Sequence, residues 1–546
     1  MSDTVRNYSW GGNSSKRRRA LRRHGPNIAK YVLPVLVVTI VWGFWITRDN
    51  YPMAAFVARD HSYEIFINNV VDRRKDFINS NLPRLFPEPS RVRQIADGLS
   101  RELPLPEWLL NNVNDGLCHI SGNDISRPEN TLVVTKMTRI GCISEKIARL
   151  LPAVEHDEAG GLDLYLLPDA GFYYAVRGRT FLLTASRDCL IRALSLDKEQ
   201  AVPIEEFEER IQRAGGADLY CRMEPAAFPV EYRPFEELSF ALKFENESAR
   251  FLVQGRFSEE FQTHYEALFP AAASGPLPAP FDAVASVSMD FGKPLSEILD
   301  ALAKVFYESD IFPEWLWHSY KMPENETEIT SLQPLIASMI QTSDSRVRLG
   351  WFGTDPYEIV PVPLIAATFE TDTDGVLLLF ESITQTPEVS QEIDLIPRLN
   401  AEEMLVHVPF IGGPNLEPTL VTFNEGIIFS SSLPLAMDLK TSLPLAQGFN
   451  QEGNLYACVK PTEAMEALLQ AARELALSGL LRGYTPESLE LAAKPWMDAA
   501  SSAKEAALLA SWSGGQLRAE VKISMQPPRP VNAAEGEDNN AADTDL

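Results

Sequence analysis

Alternating apolar and polar residues recur along the chain and predict β-strands, because a period of two is typical of strands with one buried face. Three hairpins are predicted, at Phe172–Val176 with Thr180–Ala185, Leu238–Phe244 with Arg250–Phe257, and Ala507–Trp512 with Leu517–Ser524. Apolar residues at helical spacing predict helices near 61–80, 141–151, 187–196 and 205–213. Together these elements predict an α+β fold of mostly antiparallel sheet with packed helices.

The order of the elements is repeated after a proline-rich stretch, PAAASGPLPAP, at 270–280. The corresponding pairs are Leu219-Tyr220 with Leu455-Tyr456, Trp108 with Trp315, residues 181–186 with 427–432, and residues 55–60 with 285–290. Their common order predicts a tandem duplication. Repeat 1 is predicted at 54–257, a linker at 258–280, and repeat 2 at 281–525 with a helical insert at 462–507. Two unrelated α+β domains with similar strand spacing are the alternative.

An uncharged apolar run of sixteen residues, Tyr31–Ile46, lies near the start of the chain, and Thr47 extends it. A helix of that length spans about 25 Å, close to the lower limit for crossing a bilayer. The run predicts a single-pass transmembrane signal anchor at 28–48 that contacts the lipid bilayer through residues 31–47. A cleaved signal peptide, a buried core helix and a nucleic-acid-binding cluster are the alternatives.

Charge predicts the orientation of that anchor. Residues 1–30 contain eight basic residues and one acid, whereas the whole chain has a net charge of −26. Basic residues beside a membrane helix stay in the cytoplasm. We therefore expect the plasma (inner) membrane, with a cytoplasmic N-terminus and an extracytoplasmic bulk. Such acidity argues against nucleic acid as a partner, and the basic tail 1–27 and the acidic tail 526–546 are expected to be disordered.

The five cysteines do not form a recognisable metal or redox motif. They are Cys118, Cys142, Cys189, Cys221 and Cys458, and no two of them form a C-x-x-C pair. Buried free thiols are favoured, although one bridge, for example between Cys118 and Cys142, is compatible with an oxidising compartment.

Catalytic motifs are absent from the sequence: it contains no P-loop, no H-E-x-x-H and no G-x-S-x-G. His156-Asp157-Glu158 is the closest approach to a metal cluster, but the adjacent Gly160-Gly161 favours a solvated turn. Asp60 and Asp290 are interpreted as helix N-caps, and Tyr220 and Tyr456 as packed strand residues. Trp108 and Trp315 are interpreted as core anchors. The sequence therefore predicts no catalytic, cofactor-binding or metal-binding residue.

Two features carry a resemblance to a known class of protein. They are the hairpin and helix at Phe172–Leu196, and the Leu-Tyr stretches at 218–225 and 454–461. With the N-terminal apolar run, they resemble uncharacterised bacterial membrane-anchored proteins with a duplicated ectodomain of unknown function. The resemblance covers about residues 54–524 and implies a bacterial envelope location. It does not imply an activity or any catalytic residue.

These observations favour a non-enzymatic, membrane-anchored envelope protein whose ectodomain binds a protein partner or scaffolds an assembly. Two alternatives remain open. One is an extracytoplasmic hydrolase whose site is assembled from scattered residues, and the other is a carrier or sensor of an apolar ligand. A deep pocket with convergent polar groups would favour the enzyme, and an apolar cavity in both repeats would favour the carrier.

Overall fold

The computed structural model describes a discontinuous set of residues: 43, 47–69, 73, 85, 112–124, 127–149, 154–168, 171–224, 235–245, 247–269, 276–308, 343–355, 361–371, 396–400, 403–407, 416–423, 426–442 and 451–526. Within these ranges lie twenty β-strands and eight α-helices. The pairs of strands whose register is defined are all antiparallel.

The strands are numbered in chain order as β1 Tyr63–Asn68, β2 Leu117–Gly122, β3 Leu132–Lys136, β4 Glu155–Ala159, β5 Leu162–Leu167, β6 Phe172–Arg177, β7 Thr180–Thr184, β8 Leu219–Met223, β9 Phe235–Glu245, β10 Ser248–Phe257, β11 Ala285–Met289, β12 Ser343–Asp355, β13 Val362–Thr371, β14 Ile396–Asn400, β15 Glu403–His407, β16 Thr419–Phe423, β17 Gly426–Ser430, β18 Leu455–Val459, β19 Ala503–Ser513 and β20 Gln516–Met525. The helices are α1 Arg139–Ala148, α2 Arg187–Leu194, α3 Ile204–Ala214, α4 Glu259–His264, α5 Leu295–Glu308, α6 Leu433–Ser442, α7 Pro461–Leu477 and α8 Pro486–Ala500. Short 3-10 turns lie at Met53–Phe56, Pro128–Asn130 and Glu266–Leu268.

The chain divides into two compact units, and the first comprises Met1–Asp60, Leu105–Ile120 and Arg127–Glu209. Its strands are ordered β2-β3-β7-β6-β5-β4. The hairpin of β6 and β7 turns at Gly178, whose φ of 59° lies in the left-handed region that glycine adopts without strain. Thr138 is the N-cap of α1 and Ser186 is the N-cap of α2. Each side chain accepts a hydrogen bond from the backbone N–H three residues later.

The second unit comprises His61–Pro104, Ser121–Ser126 and Arg210–Leu546. Its strand order is β1-β8-β9-β10-β20-β19-β18-β11-β12-β13-β17-β16-β15-β14. Strands β10 and β20 pair along nine positions, from Ser248 opposite Ser524 to Arg256 opposite Gln516. One core cluster of this unit is formed by Phe281, Ala283, Ala366, Ile428 and Leu439.

Strand connectivity recurs between the first ten strands and the last ten. The order β1-β8-β9-β10 corresponds to β11-β18-β19-β20, and the order β3-β7-β6-β5-β4 of the first unit corresponds to β13-β17-β16-β15-β14. The predicted repeat boundaries at 54–257 and 281–525 stay a prediction.

Individual hydrogen bonds follow the same correspondence. The Asp218 carboxylate accepts a hydrogen bond from the Phe244 N–H at 2.6 Å, and the Asn454 side-chain carbonyl accepts one from the Trp512 N–H at 2.9 Å. Both acceptors directly precede a Leu-Tyr strand, β8 or β18. Tyr220 and Tyr456 therefore occupy corresponding places in the two strand sets.

The predicted correspondence of residues 55–60 with 285–290 does not extend to their secondary structure. Met53–Phe56 form a 3-10 turn whereas Ala285–Met289 form β11, and the predicted helix near 61–80 contains strand β1. The reason is that β1 buries Tyr63, Glu64 and Phe66 on both of its faces, so its apolar spacing does not alternate. Strand β1, and not residues 55–60, holds the place next to β8 that β11 holds next to β18.

The predicted α+β class with an N-terminal transmembrane helix is wrong, because antiparallel strands dominate the described residues. No helix in the described part of the chain has both the length and the apolar character needed to cross a membrane. This finding contradicts the single-pass anchor and the inner-membrane location. The apolar run is at the short end of the roughly 17–25 residues that spanning helices use. At its predicted end, Thr47 is buried and its hydroxyl donates to the Gly43 carbonyl at 2.6 Å.

Several predictions concern residues outside the described set. They are the tails 1–27 and 527–546, most of the segment 31–47, and Trp108 and Trp315. In the predicted linker 258–280, α4 and the turn Glu266–Leu268 are regular structure. The predicted helical insert 462–507 corresponds to α7, α8 and the start of β19.

Candidate functional site

One face of strands β9, β10, β20 and β19 is polar, and the opposite face is apolar. Directly opposed residues of an antiparallel pair point to the same face, and so do residues two apart along a strand. The pairing of β10 with β20 therefore gathers one mostly polar set, Arg250, Leu252, Gln254, Arg256, Gln516, Arg518, Glu520 and Lys522. The intervening residues form the apolar set, Ala249, Phe251, Val253, Leu517, Ala519 and Val521. The apolar side contributes to the core through Ala249 and Phe251.

A groove of about 480 Å³ lies on the polar face. It is lined by α3, β8, β9, β10, β19 and β20, through Arg213, Tyr220, Glu237, Ser239, Gln254, Gly255, Arg256, Ser511, Ser513, Gln516, Leu517 and Arg518. This volume is within the usual range for small-molecule sites, but such sites are mostly apolar. The lining here consists mainly of guanidinium, hydroxyl and amide groups, which suits a polar ligand.

The groove is rich in positive charge. Three arginines line it, Arg213, Arg256 and Arg518, against one carboxylate, Glu237. Glu237 already accepts a hydrogen bond from Arg222 Nε at 2.8 Å. Arg256 lies 4.0 Å from Glu236, at an exposed edge. Among the described residues, no carboxylate lies within 4 Å of the exposed Arg518 guanidinium. The groove is therefore cationic overall, and its Arg518 guanidinium is not paired with a carboxylate in the described part of the chain.

A buried charge cluster continues the polar row beyond the groove. Glu64 on β1 is opposite Arg222 on β8, and Ser239, Gln254 and Arg518 follow on successive strands. The Glu64 side chain is 1% exposed. Arg210 donates to Glu64 Oε2 at 2.9 Å, His61 Nε2 lies 3.2 Å from the same oxygen, and Arg222 Nη1 lies 3.7 Å from Oε1. A buried carboxylate with cationic partners holds Arg222 beside the groove.

Burial and neighbouring charges shift the pKa values of the groups around this cluster. Burial alone would lower the pKa of Arg222, but the hydrogen bond to Glu237 and the charges of Glu237, Glu64 and Glu224 raise it. Burial also raises the pKa of the Tyr220 hydroxyl. The Cys221 thiol has a pKa raised from 9.0 to about 11, first by burial and then by the Glu64 charge. At neutral pH, Arg222 is therefore charged while Tyr220 and Cys221 are neutral.

The residues that the sequence singled out are dispersed. Asp157 belongs to His156-Asp157-Glu158, which the sequence favoured as a solvated turn over a metal site. It lies on strand β4, and its carboxylate accepts hydrogen bonds from Arg187 at 2.6 and 3.1 Å. That contact, together with the charge of Arg187, lowers the pKa of Asp157. His156 lies 3.2 Å from Asp163. Among the described residues, no three His, Cys, Asp or Glu side chains are grouped so that they could hold a metal ion.

The two predicted N-cap aspartates do not cap helices. Asp60 precedes strand β1, and the Asp290 carboxylate accepts a hydrogen bond from the Gly292 N–H at 2.9 Å, before α5 begins at Leu295. Tyr220 lines the groove, whereas Tyr456, the corresponding residue on β18, does not.

All five cysteines are free thiols. Burial raises the pKa of Cys118 from 9.0 to about 11, and it raises the pKa of Cys142 and Cys189 as well. The bridge that the sequence left open between Cys118 and Cys142 is not formed.

Sequence reasoning missed the groove because its residues come from five strands and one helix separated by up to about 300 positions. The available signal was the mostly polar residues at every second position of two hairpin strands, Arg250, Leu252, Gln254 and Arg256, and Gln516, Arg518, Glu520 and Lys522. That pattern is also typical of an ordinary strand with one solvated face. Only the pairing of β10 with β20 brings the two sets together.

No protein-family model matches the sequence. No curated protein matches it either. Among solved structures, crystal form I of TP0453 is 10% identical, covering 39% of this chain and 81% of that chain, with a TM-score of 0.25. Crystal form III of TP0453 is 9% identical, covering 43% and 91%, with a TM-score of 0.24. TM-scores this low do not establish a shared fold, and the resemblance to uncharacterised envelope proteins stays a prediction.

Proposed function

We propose that this chain is a non-enzymatic binding protein whose groove on β8, β9, β10, β20 and β19 holds a small anionic ligand. The observation that carries the proposal is the exposed Arg518 guanidinium, which has no carboxylate within 4 Å among the described residues. In a chain with a net charge of −26, acids are abundant, so an arginine that lacks one is available to an external anion.

The geometry favours a ligand bearing phosphate or carboxylate groups. A guanidinium group binds either one through two parallel N–H donors. Arg213 and Arg256 add charge on other sides of the groove, and Ser239, Ser511 and Ser513 provide hydroxyl groups. These neutral groups can donate to the further oxygens of a polyoxo-anion, and the amides of Gln254 and Gln516 can do the same. The volume of about 480 Å³ fits a compact molecule with several such groups.

Isothermal titration of the full chain with pyrophosphate and with citrate tests the proposal and separates the two ligand chemistries. Wild-type protein should bind at least one probe, and more tightly at low ionic strength because salt screens the attraction. Arg518→Gln should weaken binding about tenfold to a hundredfold, since a hydrogen bond to a charged group contributes about 1.5–3 kcal/mol.

Arg482→Gln is the matched control. Arg482 is also exposed, lies between α7 and α8, and does not line the groove. This variant makes the same change in net charge and should bind the probes as wild type does. If neither probe binds the wild-type chain, or if both variants weaken binding equally, a groove specific for anions is ruled out.

A further inference from the structure

The two hairpins that meet at the groove have the same construction. The turn between β9 and β10 is closed by the pair of Glu245 with Ser248, and the turn between β19 and β20 by the pair of Ser513 with Gln516. Two residues lie between the members of each pair. Counting outward from the turns therefore assigns corresponding positions in the two hairpins.

The corresponding positions are related by an approximate two-fold rotation. Leu252 and Glu520 each lie four residues beyond the turn-closing residue of their strand, and they are directly opposite each other in the antiparallel pair. Arg250 and Arg518 each lie two residues nearer their turn, so they occupy equivalent places on the same face of the sheet. Glu520 lies at the centre, two residues from Arg518 and diagonally across from Arg250, and therefore does not distinguish the two arginines.

The surroundings of Arg250 include a carboxylate. Arg250 Nη2 lies 3.5 Å from Glu245 Oε2, which also accepts a hydrogen bond from the Ser248 hydroxyl at 3.1 Å. Lys243 Nζ lies 3.8 Å from the other carboxylate oxygen. Glu245 and Arg250 are diagonal neighbours on adjacent strands, a separation that long side chains can span. The protein thus provides an internal counter-charge for Arg250.

The corresponding counter-charge is missing beside Arg518. Ser513 has the same diagonal relation to Arg518 that Glu245 has to Arg250, but a serine carries no charge. Arg518 is not paired with any carboxylate in the described part of the chain, that of Glu520 included. Ser513 and Arg518 both line the groove. The difference between the two hairpins therefore lies at one position beside each arginine.

We propose that this position determines which of the two arginines takes the anionic ligand, since Ser513 leaves Arg518 open to it and Glu245 closes Arg250 to it. The inference rests on the proposed function of the groove and makes Ser513 a specificity-determining residue of that site. Its hydroxyl can donate to the same anion that Arg518 binds. A carboxylate in its place would pair with Arg518 and also repel the ligand.

Isothermal titration of the full-length Ser513→Glu variant with pyrophosphate and with citrate tests the first half of the proposal. Affinity should fall at least about tenfold, the loss expected when a charged hydrogen-bonding partner is withdrawn from the ligand. Ser513→Gln is the matched control, because it adds a side chain of the same length without charge, and it should bind nearly as wild type does. Wild-type affinity in Ser513→Glu, or equal losses in the two variants, would overturn the proposal.

Glu245→Ser tests the second half. Removing this carboxylate should add a second binding event for the same probes, and the further change Arg250→Gln should remove that event again. Glu245→Asp keeps the charge and should retain the wild-type stoichiometry. A single binding event in Glu245→Ser would show that Glu245 is not what closes Arg250 to anions, and would overturn this half.

The pairing itself is measured without a ligand. In Ser513→Glu, the pKa of the introduced carboxyl group, followed by ¹³C NMR, should lie below its value in the double variant Ser513→Glu/Arg518→Gln, because a nearby guanidinium favours the ionised form. Equal pKa values would overturn the claim that a carboxylate at this position closes Arg518. Absence of probe binding by wild type would contradict the proposed function and the ligand selection built on it, whereas the comparison of pKa values would still decide the pairing.

Discussion

Glu64 shows how a single residue organises the polar end of the sheet. Its carboxylate is 1% exposed and is approached by Arg210, Arg222 and His61. A buried charge of this kind is tolerated only when it is paired, because the cost of removing it from water is several kcal/mol. The cluster therefore depends on Glu64 being ionised and present.

Replacement Glu64→Gln should destabilise the protein by about 3 kcal/mol, because the buried guanidinium groups lose their counter-charge while the side-chain shape is kept. Chemical denaturation of wild type and variant measures the difference. Glu237→Gln is the matched control, since Glu237 binds the same Arg222 but its side chain is 43% exposed. That change should cost less than about 1 kcal/mol. Equal losses in the two variants would show that Glu64 has no special structural role.

Sequence patterns at the residue scale identified Tyr220 and Tyr456 as corresponding strand positions, because each is the tyrosine of a Leu-Tyr pair. They did not identify Glu64, because a lone acid in an apolar segment looks like a solvated helix position until the strand on each side is known. Nor does the sequence explain Gly122, which ends β2: a Cβ there would lie 2.5 Å from the Tyr63 hydroxyl, so close approach is the reason for glycine.

At the scale of elements, β20 is the strand whose pairing most affects the groove of the second unit. It pairs with β10 along one edge and with β19 along the other. Every backbone N–H in such a strand takes part in one of the two ladders. The strand also carries Arg518 and Lys522 on its polar face, so its pairing determines the geometry of the groove.

Ala519→Pro should prevent stable folding of the second unit or destabilise it by about 3 kcal/mol or more, because proline removes a ladder N–H from a central strand. Ala519 pairs with both Val253 and Ala510. Circular dichroism and thermal unfolding measure the effect. Ala519→Ser keeps the N–H and nearly the same size, so it should unfold within a few degrees of wild type. A proline variant as stable as the serine variant would contradict the pairing of β20 on both edges.

The hairpins of β6 with β7, β9 with β10, and β19 with β20 could be predicted because their alternation is regular and glycine or polar residues separate the strands. Strand β1 could not, because it is buried on both faces. The apolar run at 31–47 was interpreted by length and flanking charge alone, and those two properties do not distinguish a bilayer from a protein interior. The groove depends on long-range pairing, which local patterns do not report.

For the whole molecule, the main feature is the contrast between an acidic chain and a cationic groove. A net charge of −26 repels anions at long range, yet three arginines converge in the groove and one of them, Arg518, has no described carboxylate partner. Repulsion by the surface slows the approach of an anion, whereas the local guanidinium groups stabilise the bound state. Salt screens both effects, and because the guanidinium groups lie nearest to the bound ligand, we expect the net result to be weaker binding at high ionic strength.

Anomalous diffraction from crystals of the full chain soaked in tungstate tests the central claim most directly, because it locates a tetrahedral anion without assuming the natural ligand. We expect an anomalous peak in the groove within hydrogen-bonding distance of the Arg518 guanidinium, and we expect Arg518→Gln crystals to lose it. A groove without a peak in wild-type crystals, or a peak of undiminished height in the Arg518→Gln variant, would contradict the proposal that this protein binds an anionic ligand there.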